Sequence, residues 1–244
     1  MQVYKLLYKS RSVNNKCRCT DFRESSRGIL KKELKTDKKY KFNYNKFIQG
    51  EYIMAKLYFK YGCMGSSKSM DLLRTAYNYE QLGKNVLVLK SSIDTRDEGV
   101  VRSRIGIEHE CICVNEKDSI INIVFEYIEK NSSLSCILVD EVQFLSVKQI
   151  EQLWLIAVES NIPVICYGLR IDYRGKGFPA SERLFTLAHS IEELKTICEC
   201  GKKATHHLLY VNGVPLFEGE SIFVGDTEFK SVCGSCWFKA KTSK

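Results

Sequence analysis

The chain has 244 residues, is 44% hydrophobic and 27% charged, and carries a formal net charge of +8. That composition excludes wholesale disorder and fibrous architectures, and the length suits one large domain or two small ones. No apolar run approaches the roughly 18 residues of a membrane-spanning helix, and the basic start has too short an apolar run for a secretory signal.

Eleven cysteines without a signal suggest the reducing cytoplasm, where paired cysteines more often mean metal than disulfide. The positive charge, which by itself suggests a polyanionic partner, is unevenly spread. Residues 1–53 hold 14 Lys and Arg against 5 Asp and Glu, leaving 23 against 24 for the rest. A near-neutral core argues against nucleic acid as its partner. The leader, with its Lys-rich run from Lys31 to Lys41, reads as a disordered basic arm. A nucleic-acid-binding arm and a true start at Met54 are the alternatives.

Beyond Met54, strand and helix signals alternate. Leu57–Tyr61 is a short β-rich run. Ser69–Leu82 is helical, with Leu72, Leu73, Ala76 and Tyr77 on one face and Gly83 as its stop. Val86–Leu89 is continuously apolar, as in a parallel sheet buried on both faces. Cys111–Val114 is a further strand candidate. Ser119–Lys130 is a helix burying Ile120, Ile121, Val124 and Ile128. Cys136–Val139 is a second continuous strand, Val147–Glu159 a helix, and Pro163–Tyr167 a third strand. This rhythm predicts an α/β fold with a mainly parallel sheet and helices on both faces. After about Leu194, Gly, paired Cys and short β segments (His207–Val211, Ile222–Val224) replace it. The chain thus divides into a leader (1–53), a phosphate-loop domain (54–194) and a small C-terminal β lobe (195–244). A lobe of that size needs a metal or similar staple.

Between the first strand and helix lies Gly62-Cys63-Met64-Gly65-Ser66-Ser67-Lys68-Ser69. The phosphate-loop template is G-x-x-x-x-G-K-[ST], and only Ser67 departs from it. Small residues at Gly65, Ser66 and Ser67 let backbone amides converge on an anion at a helix start. Lys68 neutralises phosphate oxygens there, and Ser69 ligates Mg²⁺. Cys136–Val139 then runs into Asp140-Glu141 at a strand's carboxyl end, the place for a metal-holding carboxylate and a base.

Cys198-Glu199-Cys200 and Cys233-Gly234-Ser235-Cys236 form two pairs. Two intervening residues let both thiolates meet one tetrahedral zinc, which the second pair satisfies. The first pair has one. Cys198, Cys200, Cys233 and Cys236 are the simplest ligand set for a structural Zn²⁺; His206 or His207 is an alternative ligand, and buried thiols without metal another.

From Ala55 to Phe238 the chain resembles the thymidine kinases of cytosolic and bacterial type. Tyr61 through Ser69 carry the likeness, with Lys90 and Asp94-Thr95-Arg96, then Asp140-Glu141-Val142-Gln143-Phe144. Tyr167 through Arg170, Asp172-Tyr173-Arg174 and Phe178-Pro179 continue it, as do Gly225 through Phe229, Ser231-Val232-Cys233 and Cys236. The resemblance implies ATP-dependent phosphorylation of the 5′-hydroxyl of thymidine or deoxyuridine, with Glu141 as general base. It implies a nucleotide and Mg²⁺ site of Gly62, Gly65, Ser66, Ser67, Lys68, Ser69, Asp94, Arg96, Asp140 and Gln143. Gln143 reads equally as an orienting or a surface side chain. The nucleoside site so implied comprises Phe144, Leu169, Tyr173, Phe178, Ile222, Gly225 and Phe229, where the family usually has Tyr at the place of Phe229. Plain core aromatics are the lesser, alternative reading of Phe144 and Phe178. The family further implies a lasso loop over the base near Ile222–Phe229, a homotetramer, and dTTP as a feedback ligand.

Overall fold

A computed structural model describes residues 55–95, 99–220 and 228–243. The predicted leader, Arg96 and the predicted strand Ile222–Val224 lie outside them. In chain order come β1 (Leu57–Tyr61), α1 (Lys68–Gln81) and β2 (Val86–Ser91), then β3 (Val100–Arg102), β4 (Glu108–Glu110), β5 (Ile112–Val114) and α2 (Ile120–Asn131). β6 (Cys136–Asp140), α3 (Val147–Ser160), β7 (Val164–Gly168), α4 (Pro179–Leu187) and β8 (Ser190–Glu193) complete the larger part.

Six strands form one sheet in the order β5-β2-β6-β7-β1-β8, every neighbouring pair parallel. β2 and β6 are buried along their whole length, which explains their unbroken apolar runs. Val86, Val88, Cys136 and Leu138 face α1, packing with Leu72, Leu73 and Ala76. Their neighbours Leu87, Leu89, Ile137 and Val139 are as deeply buried on the opposite face, as a period of two requires. There Phe59 meets Phe185 of α4 edge-on at 5.1 Å.

The helices begin where local chemistry directs. The Ser119 hydroxyl accepts from the Asn122 amide, and Ser146 with Gln149 forms a reciprocal capping box. Pro179 stands at the start of α4, where its missing N–H costs nothing. Periodicity did not anticipate α4, because nine residues offer too little of it. The edge strand β8 was equally silent, since three of its four residues are polar and its one apolar residue, Ile191, is exposed. The β3–β4 hairpin was also unanticipated.

The C-terminal part holds β9 (His206–Val211), β10 (Val214–Leu216), β11 (Glu228–Val232) and α5 (Gly234–Thr242). β9 is the middle strand of an antiparallel sheet, between β10 and β11. Asn212 and Gly213 join β9 to β10, both left-handed at φ 52 and φ 75, as a tight hairpin turn demands. No helix among the described residues is long and apolar enough to cross a membrane.

Candidate active site

The loop after β1 is shaped by close backbone contacts. The Gly62 N–H donates to the Gly168 carbonyl at 3.2 Å. A Cβ on Gly62 would lie 2.3 Å from the Leu194 carbonyl oxygen, so no other residue fits. Ser67 precedes α1 in the left-handed region at φ 63, where a glycine would be unstrained. Lys68 opens the helix and is 8% exposed. Its ammonium turns back and donates to the carbonyls of Cys63 (2.9 Å) and Gly62 (3.2 Å). Burial lowers its pKa, while Glu141 and Asp140 pull it back up. A desolvated cation held by two weak acceptors is readily transferred to a phosphate.

Asp140 ends β6, two strands away from β1 in the sheet. The Ser69 hydroxyl donates to its Oδ2 at 3.0 Å. Its Oδ1 is buried with no hydrogen-bond partner. Burial, then the neighbouring Glu141 charge, push its carboxyl up to about 7. An orphaned carboxylate oxygen beside a hydroxyl is a donor set suited to a divalent cation. Glu141 follows in the left-handed region at φ 47 and starts a short 3₁₀ turn. Gln143, 3% exposed, joins the pieces. Its Nε2 donates to Glu141 Oε2 at 2.6 Å, and its Oε1 accepts from the Leu169 amide at 3.0 Å. Of its two sequence readings, the geometry matches the orienting one.

These groups open on one cavity of ≈ 580 Å³. Gly65, Ser67, Lys68 and Ser69 form one wall, and Asp94, Asp140, Glu141 and Gln143 another. Phe144 and Leu169 line the apolar side. Ser66 is buried in the loop behind, and Phe178 sits edge-on to Phe144 at 5.9 Å. Tyr173 and Phe229 stand away from the cavity wall. The Tyr173 hydroxyl reaches the carbonyls of Glu218 (3.0 Å) and Glu220 (2.9 Å), and Phe229 lies opposite Leu209 on β11. Arg96, Ile222 and Gly225 lie outside the described residues.

Three cavity cations, Lys90, Arg102 and Arg104, were given no role from sequence. Lys90 is 3% exposed, its Nζ 3.2 Å from Asp94 Oδ2. Arg104 comes from the β3–β4 turn, its Nη1 3.5 Å from where a Gly65 Cβ would stand. The Ser-Arg-Ile-Gly run around Arg104 signals only a turn, so nothing local shows that it folds over the phosphate loop.

The four predicted cysteines converge. The sulfurs of Cys198, Cys200, Cys233 and Cys236 all lie within 4.8 Å of one another, with Cys200 and Cys233 at 3.6 Å. Bonds of about 2.3 Å to a tetrahedral zinc would space thiolates about 3.8 Å apart, so the set fits that ion. The short first pair is accommodated by a tight turn, closed by Gly201 N–H to the Cys198 carbonyl at 2.8 Å. Cys233 stands at the start of α5, where the Cys236 amide favours its thiolate and lowers its pKa to about 6. His206 and His207 are engaged elsewhere: His206 with the Thr205 hydroxyl at 2.9 Å, His207 with the Met64 amide at 3.1 Å.

The comparisons agree with this arrangement. The thymidine kinase family model matches residues 55–237. A thymidine kinase of Francisella tularensis subsp. holarctica is 43% identical over 192 residues, covering 75% of this chain and 97% of that protein. One from Lactococcus lactis subsp. lactis is 43% identical over 190 residues, covering 76% and 98%. One from Rhodopirellula baltica is 45% identical over 183 residues, covering 74% and 86%. The match spans both the phosphate-loop domain and the cysteine lobe, and the chain belongs to the thymidine kinase family, which phosphorylates thymidine with ATP.

Proposed function

We propose a division of labour in which the ATP phosphates lie along Gly62 to Ser69, facing the loop amides and the start of α1. Gly65, Ser66 and Ser67 keep that approach open. Lys68 exchanges its two loop carbonyls for β- and γ-phosphate oxygens. Ser69 and Asp140 would hold Mg²⁺, which supplies neutralising charge when bound. The orphaned Asp140 Oδ1 supports that assignment. Arg96 adds a second cation at the phosphates, and Asp94 acts near the metal or sugar.

Glu141 takes the proton of the nucleoside 5′-hydroxyl as that oxygen attacks the γ-phosphorus. Gln143 holds the carboxylate in place, and this bridge from Glu141 through Gln143 to Leu169 is the observation that carries the reading. Phe144 and Leu169 face the pyrimidine of thymidine or deoxyuridine, with Phe178 behind them. Tyr173, Ile222, Gly225 and Phe229 belong to the cover over the base. Cys198, Cys200, Cys233 and Cys236 hold a structural Zn²⁺ that braces the 195–244 lobe. Free thiols throughout the described residues support a cytoplasmic setting. The family resemblance supports a homotetramer with dTTP as feedback ligand.

The deciding variant is Glu141→Gln. Turnover should fall by about 10²- to 10⁴-fold while ATP still binds. Near-normal turnover would remove Glu141 from the base role.

A further inference from the structure

The phosphate loop and the cysteine lobe meet at one residue. The Met64 N–H, in the middle of the loop, donates to His207 Nε2 at 3.1 Å. The Met64 carbonyl accepts from the Ser231 hydroxyl at 2.7 Å. His207 on β9 and Ser231 on β11 are directly opposed in the small sheet. Two facing side chains of one lobe therefore hold both backbone polar groups of one loop residue, which belong to the two successive peptide units flanking Met64. The preceding residue is held too: Cys63 packs with Cys198, Leu208, Val232 and Cys233.

His207 is built for this contact. It is 3% exposed, so its ring is fixed by packing. With Nε2 accepting, its proton sits on Nδ1. Burial, with Lys68 nearby, keeps the ring neutral down to about 4, so the acceptor is present at every working pH. Neither His207 nor Ser231 lines the catalytic cavity.

We propose that His207 and Ser231 are positioning residues for the phosphate loop: by pinning the two peptides on either side of Met64 they set the curvature with which the following amides meet the triphosphate. A phosphate loop binds through convergent N–H groups, so rotation of one peptide disperses the cluster. Because the Met64 amide is spent on His207 and the Ser66 amide on the Cys63 carbonyl, the anion is left to the amide of Gly65 and those from Ser67 onward. The small lobe then shapes the ATP site through the loop it holds.

The inference rests on reading Gly62–Ser69 as the phosphate loop. It is tested with His207→Leu, His207→Gln and Ser231→Ala. Each is assayed for ATP KM, thymidine KM and kcat, for binding of Mg-ADP in the absence of thymidine, and for melting temperature. Gln restores an acceptor near the Nε2 position; Leu does not. His207→Leu and Ser231→Ala should raise the ATP KM and the ADP Kd about tenfold, the effect of one lost buried hydrogen bond. The thymidine KM should stay within twofold, and His207→Gln should recover most of the loss. Unchanged nucleotide affinity in folded His207→Leu and Ser231→Ala overturns the proposal, as does a folded Gln variant no better than Leu. Should His207→Leu not fold, Ser231→Ala, which removes a single oxygen, decides alone. Lys68→Ala separates the two readings. Wild-type ADP binding in that variant defeats the phosphate-loop reading itself, whereas its loss beside intact binding in His207→Leu defeats only the positioning role.

Discussion

Ser67→Gly isolates a cost that this chain carries at its own phosphate loop. Ser67 adopts φ 63, ψ 28, and a left-handed backbone costs a non-glycine residue about 1–2 kcal/mol. Glycine removes that cost but loses about 0.5–1 kcal/mol more backbone entropy on folding. The side chain has little to lose, because Ser67 is exposed and makes no capping hydrogen bond to α1. The bond from the Asp71 amide to the Ser67 carbonyl, at 2.9 Å, is backbone to backbone and survives the change. The balance is a gain of about 0.5–1 kcal/mol. For a chain of this size that raises the melting temperature by roughly 1–4 °C. The measurement is a thermal unfolding scan without nucleotide or metal, which keeps ligand stabilisation out of the comparison. Ser67→Val provides the opposite arm. A β-branched residue is worse in this region than serine, so its melting point should fall. A drop in Ser67→Gly would refute the reasoning, because it would mean that the serine hydroxyl contributes more than the strain removes.

Three further outcomes are expected. In the metal-free protein the raised carboxyl of Asp140 makes the folded state bind its proton more tightly than the unfolded state does, so stability falls as pH rises from about 4 to about 7. Asp140→Asn should therefore melt higher than wild type at pH 8 without Mg²⁺ and lose Mg²⁺-dependent stabilisation; a lower melting point would contradict the burial argument. Cys233→Ser with Cys236→Ser should lower both the melting temperature and the zinc content, and an unchanged melting point with no zinc by elemental analysis in the wild type would sink the structural-metal proposal. A chain beginning at Met54 should keep kinase activity while losing the +9 excess of residues 1–53; loss of turnover would give the leader a catalytic role.

Local patterns made the framework legible. Val86–Leu89 and Cys136–Val139 read as buried strands because a strand covered on both faces has no polar alternation to conceal it. The Gly62–Ser69 loop and the Asp140-Glu141 pair were legible because their spacing is imposed by a short stretch of backbone. The cysteine set was legible by residue type, although the one-residue spacing of Cys198 and Cys200 left its geometry open. The turn closed at Gly201 and the return of β11 bring those sulfurs to the second pair.

Sequence by itself showed the phosphate-loop pattern, the carboxylate pair, each of the two cysteine pairs and the family resemblance, because each is a short motif whose spacing is set by nearby backbone. It also showed that the net charge belongs to the leader rather than to the kinase core. The tertiary structure alone showed that Gln143 donates to Glu141, that Arg104 arrives over the loop, and that Met64 is held by residues 143 and 167 positions away. Those contacts leave no local trace. A buried polar side chain takes whatever partner the packed fold brings within about 3 Å, and no periodicity along the chain encodes that partner.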